Sequence, residues 1–166
     1  YGDLDGDNVP ELAVGRLPAR TAAELTTLIG KIQAYRDGDH HGTAVFAADV
    51  WDMAYEVSYS ELSERMISAL PAGWTTERAY LETGIPQAKA RLLASMNSGV
   101  ALTSWMGHSG FTIWSMQRLF SANEASGLTN YGRPTVVSQW GCWNNYYVSP
   151  RYETMGHKLL LSGDQG

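Results

Sequence analysis

The sequence predicts an α/β fold with a mostly parallel sheet covered by helices on both faces. Three observations carry this expectation. Apolar runs of strand length lack the polar alternation of a half-exposed sheet, amphipathic helical stretches with start and stop residues separate them, and 166 residues suffice for one core without disulfides or metal staples. Strands alternating with helices imply right-handed crossovers and parallel neighbours.

Tyr1 to Asn8 reads as an acidic, glycine-containing loop, and Glu11 to Leu17 as a short strand between Pro10 and Pro18. Residues 1–20 are therefore expected to form an arm or linker, and residues 21–166 the main domain. Thr21 and Glu24 make a capping box for a helix with Leu25, Leu28, Ile29, Ile32 and Tyr35 on one face, stopped by Asp37-Gly38. Thr43 to Ala48 is a strand apolar enough to be buried on both faces, closed by Asp49. Ser60 to Leu70 carries Leu62, Met66, Ile67 and Leu70 at helical spacing, ended by Pro71-Ala72-Gly73.

A short strand is expected near Ala79 to Leu81, and Pro86 opens a helix that Gly99 stops. Val100 to Met106 reads as a strand, followed by a polar and aromatic loop and a short helix within Ser115 to Ala125. Thr135 to Gln139 is the last strand and Glu153 to Leu161 the last helix. The chain has no initiator Met, and Gly163-Asp164-Gln165-Gly166 reads as the lead-in to a further strand, so the domain is expected to be truncated at its C-terminus.

A net charge of -5 argues against nucleic acid, whose binders cluster Lys and Arg to displace counterions. No apolar run approaches the roughly eighteen residues of a membrane span. The single cysteine excludes an internal disulfide and a multi-thiolate zinc site, leaving Cys142 as a buried spacer or a reactive thiol.

In parallel sheets, functional groups gather where loops leave the carboxyl ends of strands. Asp49, His108 and Cys142 each follow a predicted strand. A thiol needs an imidazole neighbour to become a thiolate at neutral pH, and a carboxylate can orient that imidazole. Gly107, Gly110 and Gly141 give the backbone beside both groups the freedom to aim N–H groups at an oxyanion. Trp114, Trp140 and Trp143 are candidates to line a substrate cleft, although an aromatic beside a strand end more often belongs to the core.

Gly107-His108-Ser109-Gly110 followed by Trp114, and Pro134-Thr135-Val136-Val137-Ser138-Gln139-Trp140-Gly141-Cys142, resemble the gingipain family of cysteine peptidases. Asp5-Gly6-Asp7, Pro10-Glu11 and Val14-Gly15-Arg16-Leu17-Pro18-Ala19-Arg20 are similar to the stretch preceding its catalytic subdomain. The resemblance implies a caspase-like three-layer sandwich with a Cys142/His108 dyad, Asp49 assisting the imidazole, and the N–H groups of Ser109 and Cys142 as oxyanion donors. Relatives usually carry glycine where this chain has Ser109. The resemblance further implies an exported or cell-surface bacterial protein that needs no cofactor for its chemistry.

The expected reaction is acyl transfer from a protein or peptide substrate through a Cys142 thioester, with cleavage after a basic residue as the first specificity guess. That specificity requires an acidic group in the pocket, for which Asp52, Glu56 and Glu61 are candidates. A transpeptidase with the same dyad and a non-catalytic surface or secretion module of the same fold are the alternatives. The acidic loop is open to two readings. Asp3, Asp5, Asp7 and Glu11 suit structural Ca²⁺, yet Val14 at the twelfth position from Asp3 excludes a full EF-hand loop, and the other reading is a plain acidic turn.

Overall fold

A computed structural model describes residues 2–39, 42–148 and 151–162. The elements in chain order are α1 (Ala22–Asp37), β1 (Thr43–Ala48), α2 (Tyr59–Ser68), β2 (Thr75–Tyr80), α3 (Ile85–Ser98) and β3 (Leu102–Met106). They continue with the two-residue strands β4 (Ile113–Trp114) and β5 (Phe120–Ser121), then α4 (Ala122–Ala125), β6 (Val136–Trp140) and α5 (Met155–Leu161). Four strands pair in parallel in the order β2-β1-β3-β6, while β4 and β5 form a separate antiparallel pair.

Both faces of the sheet are covered, as the continuous apolar run of β1 predicts. Val45 and Ala47 are buried in one cluster with Ala88, Leu92 and Met96 of α3, whereas Phe46, which points the other way, is equally buried on the face where α2 packs. The strand order gives the same result. The chain steps outward from β1 to β2 through α2 and back across β1 to β3 through α3, so two right-handed crossovers put these helices on opposite faces.

The helix boundaries follow their caps. Thr21 accepts the Glu24 N–H at the start of α1, Ser58 accepts that of Glu61 at α2, and Gly99 ends α3 in the left-handed conformation with φ 77°. The predicted apolar face of α1 is only partly used: Leu28 is buried, but Leu25, Ile29 and Ile32 are exposed. The strand expected over Glu11 to Leu17 is absent, and the chain from Gly2 to Arg20 holds neither helix nor strand.

The helix expected within Ser115 to Ala125 is reduced to Ala122–Ala125, because Trp114 and Phe120 are buried as facing partners in the β4–β5 pair. The predicted strand near Ala79 starts earlier, at Thr75, where Gly42 O receives the Thr75 N–H and extends the pairing with β1. The sequence around His40-His41 and the strand lead-in at 163–166 lie outside the described residues.

Candidate active site

The site is built on the ends of β3 and β6. In the parallel register Met106 stands opposite Trp140, and the Gly107 N–H donates to Trp140 O at 3.2 Å. His108 and Cys142 each lie two residues beyond this last pair, on the loops that leave these neighbouring strands. Cys142 is exposed, which removes the buried-spacer reading.

Gly107 must be glycine for this geometry. Its φ is 151°, and a Cβ there would collide with Asp49 Cβ and approach Trp105 Cζ2 to 2.9 Å. The β3 strand can thus turn out of the sheet directly over the end of β1.

The carboxylate on the imidazole is Asp52, which corrects the expectation of Asp49. His108 Nε2 lies 2.6 Å from Asp52 Oδ2 and 3.2 Å from the Tyr59 hydroxyl, with the Tyr59 ring edge-on to the imidazole. The hydrogen bond from His108 holds the Asp52 carboxyl below the usual carboxylate range. Burial raises the Tyr59 phenol, helped by the charges of Asp52, Asp49 and Cys142. Asp52 is itself fixed by its Oδ1, which accepts the Ala54 and Tyr55 N–H groups, and by reciprocal backbone bonds with Val57.

Asp49 does a different job. It is buried, and its carboxylate accepts the Val50 N–H at 2.9 Å, the Ser115 hydroxyl at 2.9 Å and the His108 backbone N–H at 3.2 Å. It therefore holds the loop that carries the histidine instead of touching the ring. One strand end supplies both carboxylates, since β1 runs directly into Asp49 and turns back at Asp52. Sequence order alone does not distinguish them; only the turn at Asp52 to Val57 shows which one reaches the ring.

The oxyanion candidates are both unengaged. Among the described residues, neither the Ser109 N–H nor the Cys142 N–H donates to a protein acceptor. Ser109 faces Trp114 as an isolated bridge in which the flanking residues make the hydrogen bonds, leaving its own N–H turned away.

The three tryptophans separate. Trp114 is fully buried, stacks on Trp105 at 5.6 Å and donates to Gln139 Oε1 at 2.8 Å, so it belongs to the core and offers substrate no face. Trp140 and Trp143 are exposed beside Cys142. Sequence reading missed the company of Trp143, an aromatic cluster with Phe111, Tyr146 and Tyr152 whose ring centroids are 5.3 to 6.0 Å apart. Glu61 is exposed in the first turn of α2, its backbone N–H donating to the capping Ser58 hydroxyl, and Glu56 is exposed in a left-handed turn at φ 52°.

Asp3, Asp5, Asp7 and Glu11 converge, each offering a carboxylate oxygen within 4.8 Å of the others. Their carboxylates also accept N–H groups of the same loop, from Gly6 and Asn8 to Asp3, Asp7 to Asp5, Val9 to Asp7, and Leu4 to Glu11. Among the described residues, no helix is long and apolar enough to cross a membrane.

A parallel α/β sheet with a histidine and an exposed cysteine on adjacent strand ends has the layout of a cysteine-peptidase catalytic domain. The chain belongs to peptidase family C25, whose model matches residues 1–166. Among solved structures it is similar to the Arg-specific cysteine proteinase gingipain R (RgpB), with a TM-score of 0.72 and 19% identity over 98% of this chain and 39% of that one. It is also similar to the complex of Porphyromonas gingivalis RgpB pro- and mature domains, with a TM-score of 0.72 and 17% identity over 99% of this chain and 41% of that one. A third structure, described as a protease, gives a TM-score of 0.71 and 20% identity over 100% and 37% of the respective chains. The chain thus spans about two fifths of the solved chains it resembles. No curated protein sequence matches it.

Proposed function

We propose that this chain carries the catalytic dyad of a cysteine endopeptidase. The observation that supports this most is the parallel pairing of β3 and β6, whose last pair, Met106 and Trp140, precedes His108 and the exposed Cys142 by two residues each. The Cys142 thiolate attacks the scissile carbonyl, and the Ser109 and Cys142 N–H groups stabilise the oxyanion. His108 passes a proton to the leaving amine, and water then hydrolyses the thioester. Asp52, with Tyr59 beside it, orients the imidazole. No cofactor takes part in these steps.

The substrate is a protein or peptide. The described specificity of gingipain R for arginine makes a basic residue before the scissile bond the first choice, and an exposed acidic group near the cleft, Glu56 or Glu61, is the counter-charge this reading needs. Family membership also supports an exported or surface-bound bacterial protein. The four carboxylates of the acidic loop are proposed to hold structural Ca²⁺, with oxygen-only ligands as that ion requires. A rise in melting temperature with added Ca²⁺, lost in Asp5→Ala, supports the ion; an unchanged melting temperature rejects it.

The dyad is tested by the rate of Cys142 alkylation against pH. The folded protein is expected to react with an apparent pKa below the ~8.5 of a free thiol, and His108→Ala to restore the free value. A thiol that titrates normally in the folded protein refutes the reading. Adding a nucleophilic amine to the acyl-enzyme then separates hydrolysis from transfer by product ratio.

A further inference from the structure

The loops bearing His108 and Cys142 are joined by a side-chain hydrogen bond that the proposed chemistry does not require as such. Ser109 Oγ accepts from Asn144 Nδ2 at 2.7 Å, linking the residue after the histidine to the second residue after the cysteine. We propose that this bond is a clasp that sets the oxyanion site, with Ser109, through its hydroxyl, and Asn144 as positioning residues. The inference rests on the peptidase reading given above.

Four features converge on it. Gly141 leaves the space the clasp occupies, since a Cβ at that position would collide with Ser109 Oγ and come within 2.7 Å of Gly107 O. The first turn of α5 fixes both loops from below: Met155 N donates to Phe111 O at 2.6 Å and Gly156 N to Asn144 O at 2.9 Å. These are N–H groups that a helix start leaves without intrahelical partners. Phe111 and Trp143 meet across the same seam with centroids 5.3 Å apart. The backbone N–H groups of Ser109 and Cys142, on the two loops the clasp joins, have no protein acceptor among the described residues.

Two local costs also point to function. Asn144 is buried, yet its Oδ1 has no partner among the described residues, and Trp143 is held in the left-handed region at φ 62°. An unpaired buried carbonyl and a strained bulky residue persist only where the surroundings over-determine them, and such features gather at active sites. Here they flank the nucleophile and leave Nδ2 directed at Ser109. A buried amide selected for stability alone would have both of its ends satisfied.

The clasp is tested by comparing two probes of Cys142. Iodoacetamide alkylation needs only the thiolate, whereas a peptidyl aldehyde forms a hemithioacetal whose oxygen occupies the oxyanion site. The aldehyde is the tightest binder of a set ending in arginine, lysine or leucine. Ser109→Ala is expected to weaken aldehyde binding by about fivefold to tenfold, the range of one lost hydrogen bond, with the alkylation pH profile unchanged. Asn144→Ala should behave alike, and the double variant should bind no more weakly than the weaker single.

Unchanged aldehyde affinity in Ser109→Ala overturns the clasp, as does a parallel loss of affinity and alkylation, which marks general disruption of the loops. Ser109 is only half-buried, so this variant decides the matter even if Asn144→Ala fails to fold. Failure of the underlying reading looks different: wild-type Cys142 then titrates as a free thiol and binds none of the aldehydes, and the clasp falls with it.

Discussion

Asp52 reaches the His108 imidazole at 2.6 Å, while Asp49, three residues earlier, accepts the backbone N–H of the same histidine. The two carboxylates act on one residue through different atoms, so their loss should have different signatures. Asp52→Asn should lower turnover by roughly tenfold or more at neutral pH, because an amide no longer stabilises the imidazolium, with little change in melting temperature. Asp49→Asn should cost about 1–3 kcal/mol of stability, since all three donors around a buried carboxylate lose a charged acceptor and at least one of them faces an NH2 group in its place. Thermal denaturation and turnover, measured on both variants, check the assignment; the reverse pattern assigns the ring contact to Asp49.

The sequence made the main strands and the residues of the proposed dyad legible because each rests on local signals: an uninterrupted apolar run for β1, caps at Thr21 and Gly99, and glycines beside His108 and Cys142. What it hid depends on tertiary partners. Trp114 reads as a cleft residue until the β4–β5 pair turns it onto Trp105, and Asp52 reads as a neighbour of Asp49 until the turn to Val57 swings it to the imidazole. Helical spacing cannot report that Leu25, Ile29 and Ile32 stay exposed, because it specifies a face without specifying what covers it.

Trp114 and Trp143 provide a direct contrast between core and cleft. Trp114→Ala removes a fully buried indole, its stacking on Trp105 and its bond to Gln139, and should destabilise the fold by about 3–5 kcal/mol. Trp143→Ala removes an exposed ring at the edge of the aromatic cluster and should change the melting temperature far less, while altering KM for peptide substrates. Equal destabilisation by the two substitutions contradicts the division.

Gly107→Ala tests the turn that carries the histidine. The new methyl group meets Asp49 Cβ and the Trp105 ring, neither of which is the free end of a flexible side chain, and φ 151° disfavours any L-residue. The expected result is loss of Cys142 activation together with a destabilisation of at least about 1–3 kcal/mol, as overpacking of a tight core produces. A variant with wild-type melting behaviour and wild-type alkylation rate shows that the turn relaxes without consequence.

Lys31 gives the fold a pH dependence of its own. Its ammonium lies in the largely apolar groove between α1, β6 and α5, where it donates to Leu159 O at 3.1 Å and Ser162 O at 2.6 Å. Burial lowers its pKa from 10.5 to about 8. Between these two values the unfolded chain holds a proton that the folded chain has released, so stability rises with pH across the window, and the cost of burying the charge is fully present below it. After allowance for the solvent that still reaches this side chain, the effect amounts to about 1 kcal/mol. Lys31→Met keeps the length of the side chain and removes the charge. It should raise stability at pH 7 and flatten the difference between pH 7.5 and pH 10 relative to wild type, read from denaturant midpoints at each pH. If the wild type and Lys31→Met change in parallel over that range, the titration belongs to other groups and the carbonyls of α5 fully compensate the buried charge.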